Sequence, residues 1–409
     1  MKKRVVVIGG GAAGFFSAIN LAEKCPELEI ILLEKTQKLL AKVKVSGGGR
    51  CNVTHDCLEF HKLVKNYPRG EKELKNVFSQ FAVKETIEWF YSRGVELKIE
   101  EDGRMFPVTN SSQTIIDCLM KEVEKRGIKI WLGCDVKKIA KTETGFELET
   151  SGETIATDFV IITCGGFPKW SSYNFIAATG HKIVEPLPSL FTINLNKDPI
   201  TELMGVSVKE AEVKIAGEKL SYKGPVLITH WGFSGPAVLK LSAFAAKIFH
   251  DKEYKADILI NWAGADNEDE VRNEIQKCIS EKASSLPVNT NIFYFPARLW
   301  NYLLLRSEID LKKSWSEQNR RALNKLINNL FSDVYSMDGK TTFKEEFVTC
   351  GGISLDEVNM RTMESKLVPG LFFAGEVLNV DGITGGFNFQ AAWSTAYVVA
   401  KTISEKPGA

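Results

Sequence analysis

The chain has 409 residues, with Lys+Arg 52 against Asp+Glu 51, 44% hydrophobic and 25% charged residues. At roughly 100–200 residues per domain, this length predicts about two to three domains, each able to bury a core. The formal net charge of +1 argues against a broad electrostatic footprint for nucleic acid or an anionic membrane.

Eight cysteines (Cys25, Cys51, Cys57, Cys118, Cys134, Cys164, Cys278, Cys350) are scattered, and none forms a C-x-x-C pair. The spacing fits no disulfide framework, zinc site or dithiol motif, so a cytoplasmic, metal-free protein is expected.

Basic Met1–Arg4 followed by uncharged Val5–Ala22 imitates a secretory signal, but Gly9, Gly10, Gly11 and Gly14 interrupt the apolar run. A strand and glycine turn explain it better. Val5–Ile8 is a β-branched run of the kind buried in parallel sheets. Gly9-Gly10-Gly11-Ala12-Ala13-Gly14 then matches G-x-G-x-x-G, and Phe15, Ile19 and Ala22 share one helical face. A second buried run, Glu29–Glu34, ends in an acid 20 residues beyond Gly14, the spacing of a ribose-binding carboxylate. Gly9 permits the tight turn, Gly11 lets a pyrophosphate approach the backbone, and Gly14 lets helix and strand pack closely. The helix N-terminus offers free N–H groups to the phosphates. An acid at Glu34 repels a 2′-phosphate, which predicts FAD or NAD rather than NADP.

Lys42–Thr54 is polar and glycine-rich, read either as a surface turn or as a loop that approaches a flat polar ligand. Helical spacing follows at 83–93 and 112–126, then short strands at Val136–Ile139, Phe146–Glu149, Thr154–Ile155 and Phe159–Thr163. Beyond Pro186 and Pro188 the strand-like segments Phe191–Leu195, Glu212–Ile215 and Gly224–Thr229 suggest a small β-barrel. Helices are expected at about 236–249, 267–283, 297–306 and 315–331, with a return through Phe343–Thr349. His230 lies at a strand end before a helix expected to be capped by Ser234 with Pro236 in its first turn.

Leu371–Glu376 reads as a buried strand ending in Gly-Glu. Asp381–Gln390, with the pair Gly385-Gly386, leads into an apolar helix. Glycines at a helix N-terminus aim N–H groups at an anion, and the N1/C2=O edge of reduced flavin is anionic.

Lys42–Thr54, Gly224–Ser242 and Phe347–Trp393 together resemble the BaiN/YhiN-like FAD-dependent oxidoreductases, which include aminoacetone oxidase-like and bile-acid dehydro-reductase-like flavoproteins. The resemblance covers nearly the whole chain. It implies an α/β protein: a two-dinucleotide-binding, Rossmann-like FAD domain (1–186 and 346–409) with an inserted substrate or lid domain (187–345). The insertion is expected to be a β-barrel over about 187–260 and helical over about 261–345. Carried over residue by residue, Gly9, Gly11, Ala13 and Gly14 meet the pyrophosphate, and Glu34 and Lys35 the adenosine ribose. Lys42, Ser46, Gly47, Gly48, Gly49, Arg50 and Cys51 form the loop beside the cofactor, and Val136 gives backbone bonds to adenine. Gly165, Gly375, Glu376, Gly385, Gly386, Asn388 and Phe389 complete the set. The sequence departs from the family at Thr163-Cys164-Gly165-Gly166, at Asn379, and in a short stretch between Gly166 and His181.

His230 is the candidate acid/base group, and Arg50 the candidate for stabilising negative charge on substrate or flavin. The expected activity is hydride transfer at flavin N5 with a small or mid-sized organic substrate. Either an NAD(P)H-linked reductase, with NAD(P)H as a transient electron donor, or an amine-type oxidase fits. The alternative is a flavin-bearing binding or RNA-modification-associated protein without redox turnover. No nucleic-acid or membrane partner is expected from the charge.

Overall fold

The structure is a computed structural model that describes residues 2–341 and 348–407. It divides into two compact units, Met1–Ser189 with Lys344–Ala409, and Leu190–Phe343.

The first unit is built on a seven-stranded sheet in the order Val358–Asn359, Glu364–Ser365, Leu371–Phe373, Phe159–Ile162, Arg4–Ile8, Glu29–Glu34, Lys129–Leu132. The last five of these run parallel, and Val5, Val6 and Val7 are completely buried at their centre. That explains an uninterrupted apolar strand where an edge strand would alternate. The helix Ala12–Lys24 leaves the first strand and packs against the C-terminal helix Phe387–Ser404, with the rings of Phe16 and Trp393 5.2 Å apart. Two glycines make this junction possible. Gly9 has φ 116°, and a Cβ there would lie 2.6 Å from the Thr163 carbonyl oxygen; a Cβ on Gly14 would lie 1.9 Å from the Gly9 oxygen. The segment that imitates a secretory signal is therefore the central strand and first helix of the sheet. An antiparallel meander, Val136–Lys141, Phe146–Thr150 and Thr154–Thr157, branches off before the chain returns to the sheet at Phe159.

The second unit is a closed six-stranded barrel, ordered Thr192–Leu195, Gly232–Ser234, Ser221–Thr229, Ser207–Ile215, Lys255–Asn261, Asp333–Thr341. Ile193, Val213, Ile228, Phe233, Ile258 and Ile260 fill its interior. Helices Glu268–Glu281, Ala297–Arg306 and Arg320–Ser332 follow the fifth strand. The sixth strand falls in a stretch expected to be helical. It is needed there because Lys255–Asn261 and Thr192–Leu195 would otherwise be open edges, and Asp333–Thr341 pairs with both. The expected helix capped by Ser234 also differs in detail. Ser234 is still in strand register with Leu227, and the helix Pro236–Phe244 begins at Gly235 (φ 98°) without a side-chain cap. Of the expected return segment Phe343–Thr349, only Val348 and Thr349 lie within the described residues. Among the described residues, no helix is long and apolar enough to cross a membrane.

Candidate active site

The second strand delivers Glu34 to the end of the first. Its Oε2 accepts the Gly10 N–H at 2.9 Å, and Oε1 accepts from the Thr36 N–H and hydroxyl, each at 2.9 Å. Beside it lies a cavity of about 300 Å³ lined by Gly9, Glu34, Lys35, Val136 and Cys164, and by Phe167, Ser171, Ser172, Asn174 and Phe175. Four sequence-derived residues thus surround one hollow, together with Cys164 beside Gly165. Lys35 extends its Nζ over the Phe167 ring at 5.0 Å. A larger, open depression of about 540 Å³ lined by Asp117, Met120, Lys121, Val123, Glu124, Ile128 and Ile130 shares no residue with the glycine motif.

Gly11 is the N-cap of the first helix, which has no side-chain cap and no acid in its first turn. A Cβ on Gly11 would meet nothing within 4 Å, so open space lies over an uncapped helix terminus. Uncompensated N–H groups and a partial positive charge at such a place suit a phosphate. Ala13 lies against Gly375, where an added Cβ would come within 2.9 Å of the Ala13 methyl. Glu376, just past the C-terminal end of Leu371–Phe373, pairs with Lys42 at 2.5 Å. A Cβ on Gly165 would lie 3.9 Å from the Glu376 carboxylate, which places Gly165, Lys42 and Glu376 together.

The loop expected over Lys42–Thr54 begins as a helix, Ala41–Gly49, broken at Ser46–Gly48 where Gly47 and Gly48 adopt φ 58° and 68°. Ser46 and Cys51 close the loop on itself: the Ser46 hydroxyl donates to Val43, and the Cys51 N–H donates to the Ser46 carbonyl at 3.0 Å. Space around Gly48 and Gly49 is open. Burial pushes the Cys51 thiol up to about 12, and Cys164 likewise to about 12, so neither is a thiolate near neutrality. Arg50 is pinned rather than free, paired with Glu100 at 2.5 Å and stacked 3.9 Å above the Phe106 ring.

At the C-terminal motif, Gly385 and Gly386 lead into Phe387–Ser404. Asn388 turns back to clamp Gly382, accepting its N–H at 2.8 Å and donating to its carbonyl at 3.0 Å. Phe389 stacks on Trp393 at 5.7 Å. Two residues outside the candidate set meet the glycine pair: His55 touches the Gly385 carbonyl, and Asn52, part of the polar glycine-rich loop, the Gly386 N–H. Their position directly after that loop's glycines was the available signal. The residues of 167–175 lining the cavity carry no motif, although the short segment after Gly166 had already marked that region as unusual. His230 is an exposed residue of the second unit, in the turn between Ser221–Thr229 and Gly232–Ser234, with its ring 3.8 Å from that of Trp231.

The HI0933-like protein Rossmann domain matches residues 3–402 of this chain. The chain belongs to the HI0933-like family. Within the range of this HI0933-like chain, similarity to the 3-dehydro-bile acid delta(4,6)-reductase of Clostridium scindens is 28% identity over 99% of this chain and 100% of that protein. Similarity to the ribosomal RNA dihydrouridine synthase of Escherichia coli K12 is 31% identity over 97% of each chain. A solved structure, the 3-ketosteroid-delta4-(5alpha)-dehydrogenase of Rhodococcus jostii RHA1 in complex with 4-androstene-3,17-dione, has a TM-score of 0.52 at 13% identity, over 99% of this chain and 97% of that one. A likeness at that identity shows the fold alone. The ribosomal RNA in the Escherichia coli protein's name belongs to that relative, and it leaves open the nucleic-acid partner that the net charge argued against here.

Proposed function

We propose that the chain is an oxidoreductase that holds FAD non-covalently and reduces a carbon–carbon double bond conjugated to a carbonyl. The observation that carries the cofactor is the cradle: open space over Gly11 at an uncapped helix terminus, continuous in sequence with the strand-end Glu34 that lines the cavity. In this reading Glu34 and Lys35 hold the ribose, Val136 offers backbone groups to adenine, and the first helix receives the pyrophosphate. Lys42, paired with the Glu376 carboxylate, orients it toward the ribityl hydroxyls. The Ser46–Cys51 loop, Gly385 and Gly386 border the flavin, with Asn388 and Phe389 holding the turn and helix in place.

The reaction class rests on the names of the two relatives. The delta(4,6) double bonds of a 3-dehydro bile acid are conjugated to the 3-oxo group, and the 5,6 double bond of uridine is conjugated to a ring carbonyl. One chemistry covers both: hydride to the far carbon of the conjugated system and a proton to the near one. A bound flavin, once reduced by two electrons from NAD(P)H, would supply the hydride from its N5. The protein must supply the proton and stabilise charge on the carbonyl oxygen. We assign the acid/base role to His230 and the stabilising charge to Arg50, whose guanidinium is fixed by Glu100 and Phe106. All eight thiols are free, which suits a reducing compartment and a cytoplasmic assignment.

The test is anaerobic. Purified protein is reduced with NADH or NADPH, then offered a conjugated steroid enone, a uridine-containing RNA or air. Reoxidation by the enone supports a small-molecule reductase, and reoxidation by RNA supports the second reading, favoured by the Escherichia coli relative. Reoxidation by air alone would favour the oxidase, and no redox change under any condition would favour a binding protein.

A further inference from the structure

We infer that His55 is a positioning residue that sets the glycine turn at the flavin end of the site and thereby the reduction potential of the bound flavin; the inference rests on the FAD reading above. His55 ends the short strand Thr54–His55, which pairs with Arg104–Pro107 directly after the glycine loop. Its Nδ1 lies 3.0 Å from the Gly385 carbonyl oxygen. A carbonyl only accepts, so Nδ1 carries the proton and donates it. The ring stacks on Phe387, with centroids 4.6 Å apart and planes inclined by 26°. On a further side Gly103 closes in, where a Cβ would stand 2.6 Å from Nε2. One tautomer and one ring orientation satisfy these three restraints.

The other end of the same peptide group, the Gly386 N–H, is held from the same segment. With its amide oriented to satisfy both ends, Asn52 accepts the Gly386 N–H at 3.0 Å and donates to the carbonyls of Thr54 at 2.9 Å and Met105 at 3.2 Å. Residues 52 and 55 therefore take the Gly385 carbonyl and the Gly386 N–H, one each. Both glycines sit at positive φ, 123° and 93°, and a Cβ on Gly386 would lie 2.5 Å from the Thr54 oxygen. The turn has no tolerance for a side chain and is fixed by its hydrogen bonds.

What the turn positions is the positive end of the helix Phe387–Ser404. That end has no cap from its own N-cap residue and no acidic residue in its first turn, so its partial positive charge is not offset from within the helix. A helix terminus acts over only about one turn, which makes its electrostatic effect sensitive to small displacements. In the FAD reading the terminus faces the flavin edge that gains negative charge on reduction. Holding it close favours the reduced form, and His55 is the side chain that fixes the Gly385 carbonyl within it. The bond needs only a neutral ring. Asp102 and Arg104 are the charged groups beside His55, from the loop and strand packed against it.

The experiment compares the wild type with His55→Ala, His55→Asn and His55→Gln as FAD-loaded proteins, measuring the midpoint potential against a reference dye and the thermal midpoint of the apoproteins. Asn places a donor amide where Nδ1 stands; Gln places it nearer Nε2. The expected result for His55→Ala is an approximately tenfold loss in the preference for reduced over oxidised flavin, a fall of about 30 mV for a two-electron couple. His55→Asn should recover most of it, and His55→Gln should not. An unchanged potential in all three variants, whatever happens to thermal stability, overturns the inference and leaves His55 a packing residue. Wild-type protein that binds no FAD overturns the FAD reading itself, which separates the two failures.

Discussion

The Glu34 carboxylate accepts the Gly10 backbone N–H at 2.9 Å, so the acid that ends the second strand also fastens the glycine turn after the first. A single side chain thereby ties the two halves of the dinucleotide motif together. Its second oxygen is occupied by Thr36. Glu34→Ala removes a charged acceptor from the turn and a bond to the ribose. Hydrogen bonds to charged groups contribute about 1.5–3 kcal/mol, so the FAD dissociation constant should rise by about tenfold or more. Calorimetric titration of apoprotein checks this, and an unchanged constant would place the adenosine elsewhere.

Gly11 and Gly14 separate binding from folding. A methyl on Gly11 enters open space at the helix terminus, whereas a methyl on Gly14 would collide with the Gly9 carbonyl. Gly11→Ala should keep the apoprotein's thermal midpoint and weaken FAD by about tenfold or more, by blocking the approach of a phosphate. Gly14→Ala should destabilise the apoprotein by about 1–3 kcal/mol, the usual cost of overpacking. Equal effects of the two substitutions on apoprotein stability would contradict this division.

The same contrast shows what was legible in the sequence. The strand, glycine turn, helix and acid of residues 5–34 are local, periodic and fixed in spacing, and the structure places them so. The barrel's last strand was not anticipated because Asp333–Thr341 follows the helix Arg320–Ser332 with no turn residue between them. Its alternation, with Tyr335 and Met337 buried and Val334 exposed, was the available signal. His55 escaped notice because a lone histidine has no pattern; its meaning comes from Gly385, 330 residues away. Asn388 matched the motif, yet its side chain is committed to Gly382. Spacing can show that a residue belongs to a motif, but not which atom its side chain meets.

His230 and Arg50 should behave differently. General acid/base groups contribute about 10²–10⁴-fold, so His230→Ala should slow substrate turnover by that factor with FAD retained. Arg50→Ala leaves Glu100 unpaired by it and uncovers Phe106, so both FAD occupancy and turnover should fall. Steady-state rates beside the flavin absorbance of each variant distinguish the cases. Wild-type turnover in His230→Ala would reduce His230 to an exposed turn residue.

Folding stability should depend on pH through His181. The ring is buried, its nitrogens lie 2.7 Å from the hydroxyls of Thr179 and Ser365, and it packs edge-on to Phe373. Burial lowers its pKa, opposed in part by Glu357. The unfolded chain therefore binds a proton more readily than the folded one. The His181 contribution is fully present above the unfolded value of about 6.5 and is lost as pH falls below it toward the folded value. Urea unfolding of the first unit's signal at pH 7.5 and 5.5 should show this loss, and His181→Asn should diminish it. A slope unchanged by that substitution would assign the pH dependence to other groups.

The most direct measurement on the central claim is the identity of the compound released when the purified yellow protein is denatured. The cradle formed by Gly11, the first helix and Glu34 predicts stoichiometric FAD, released without proteolysis and at lower occupancy from Gly11→Ala. Release of FMN or NAD, or a flavin that stays covalently attached to the chain, would contradict it.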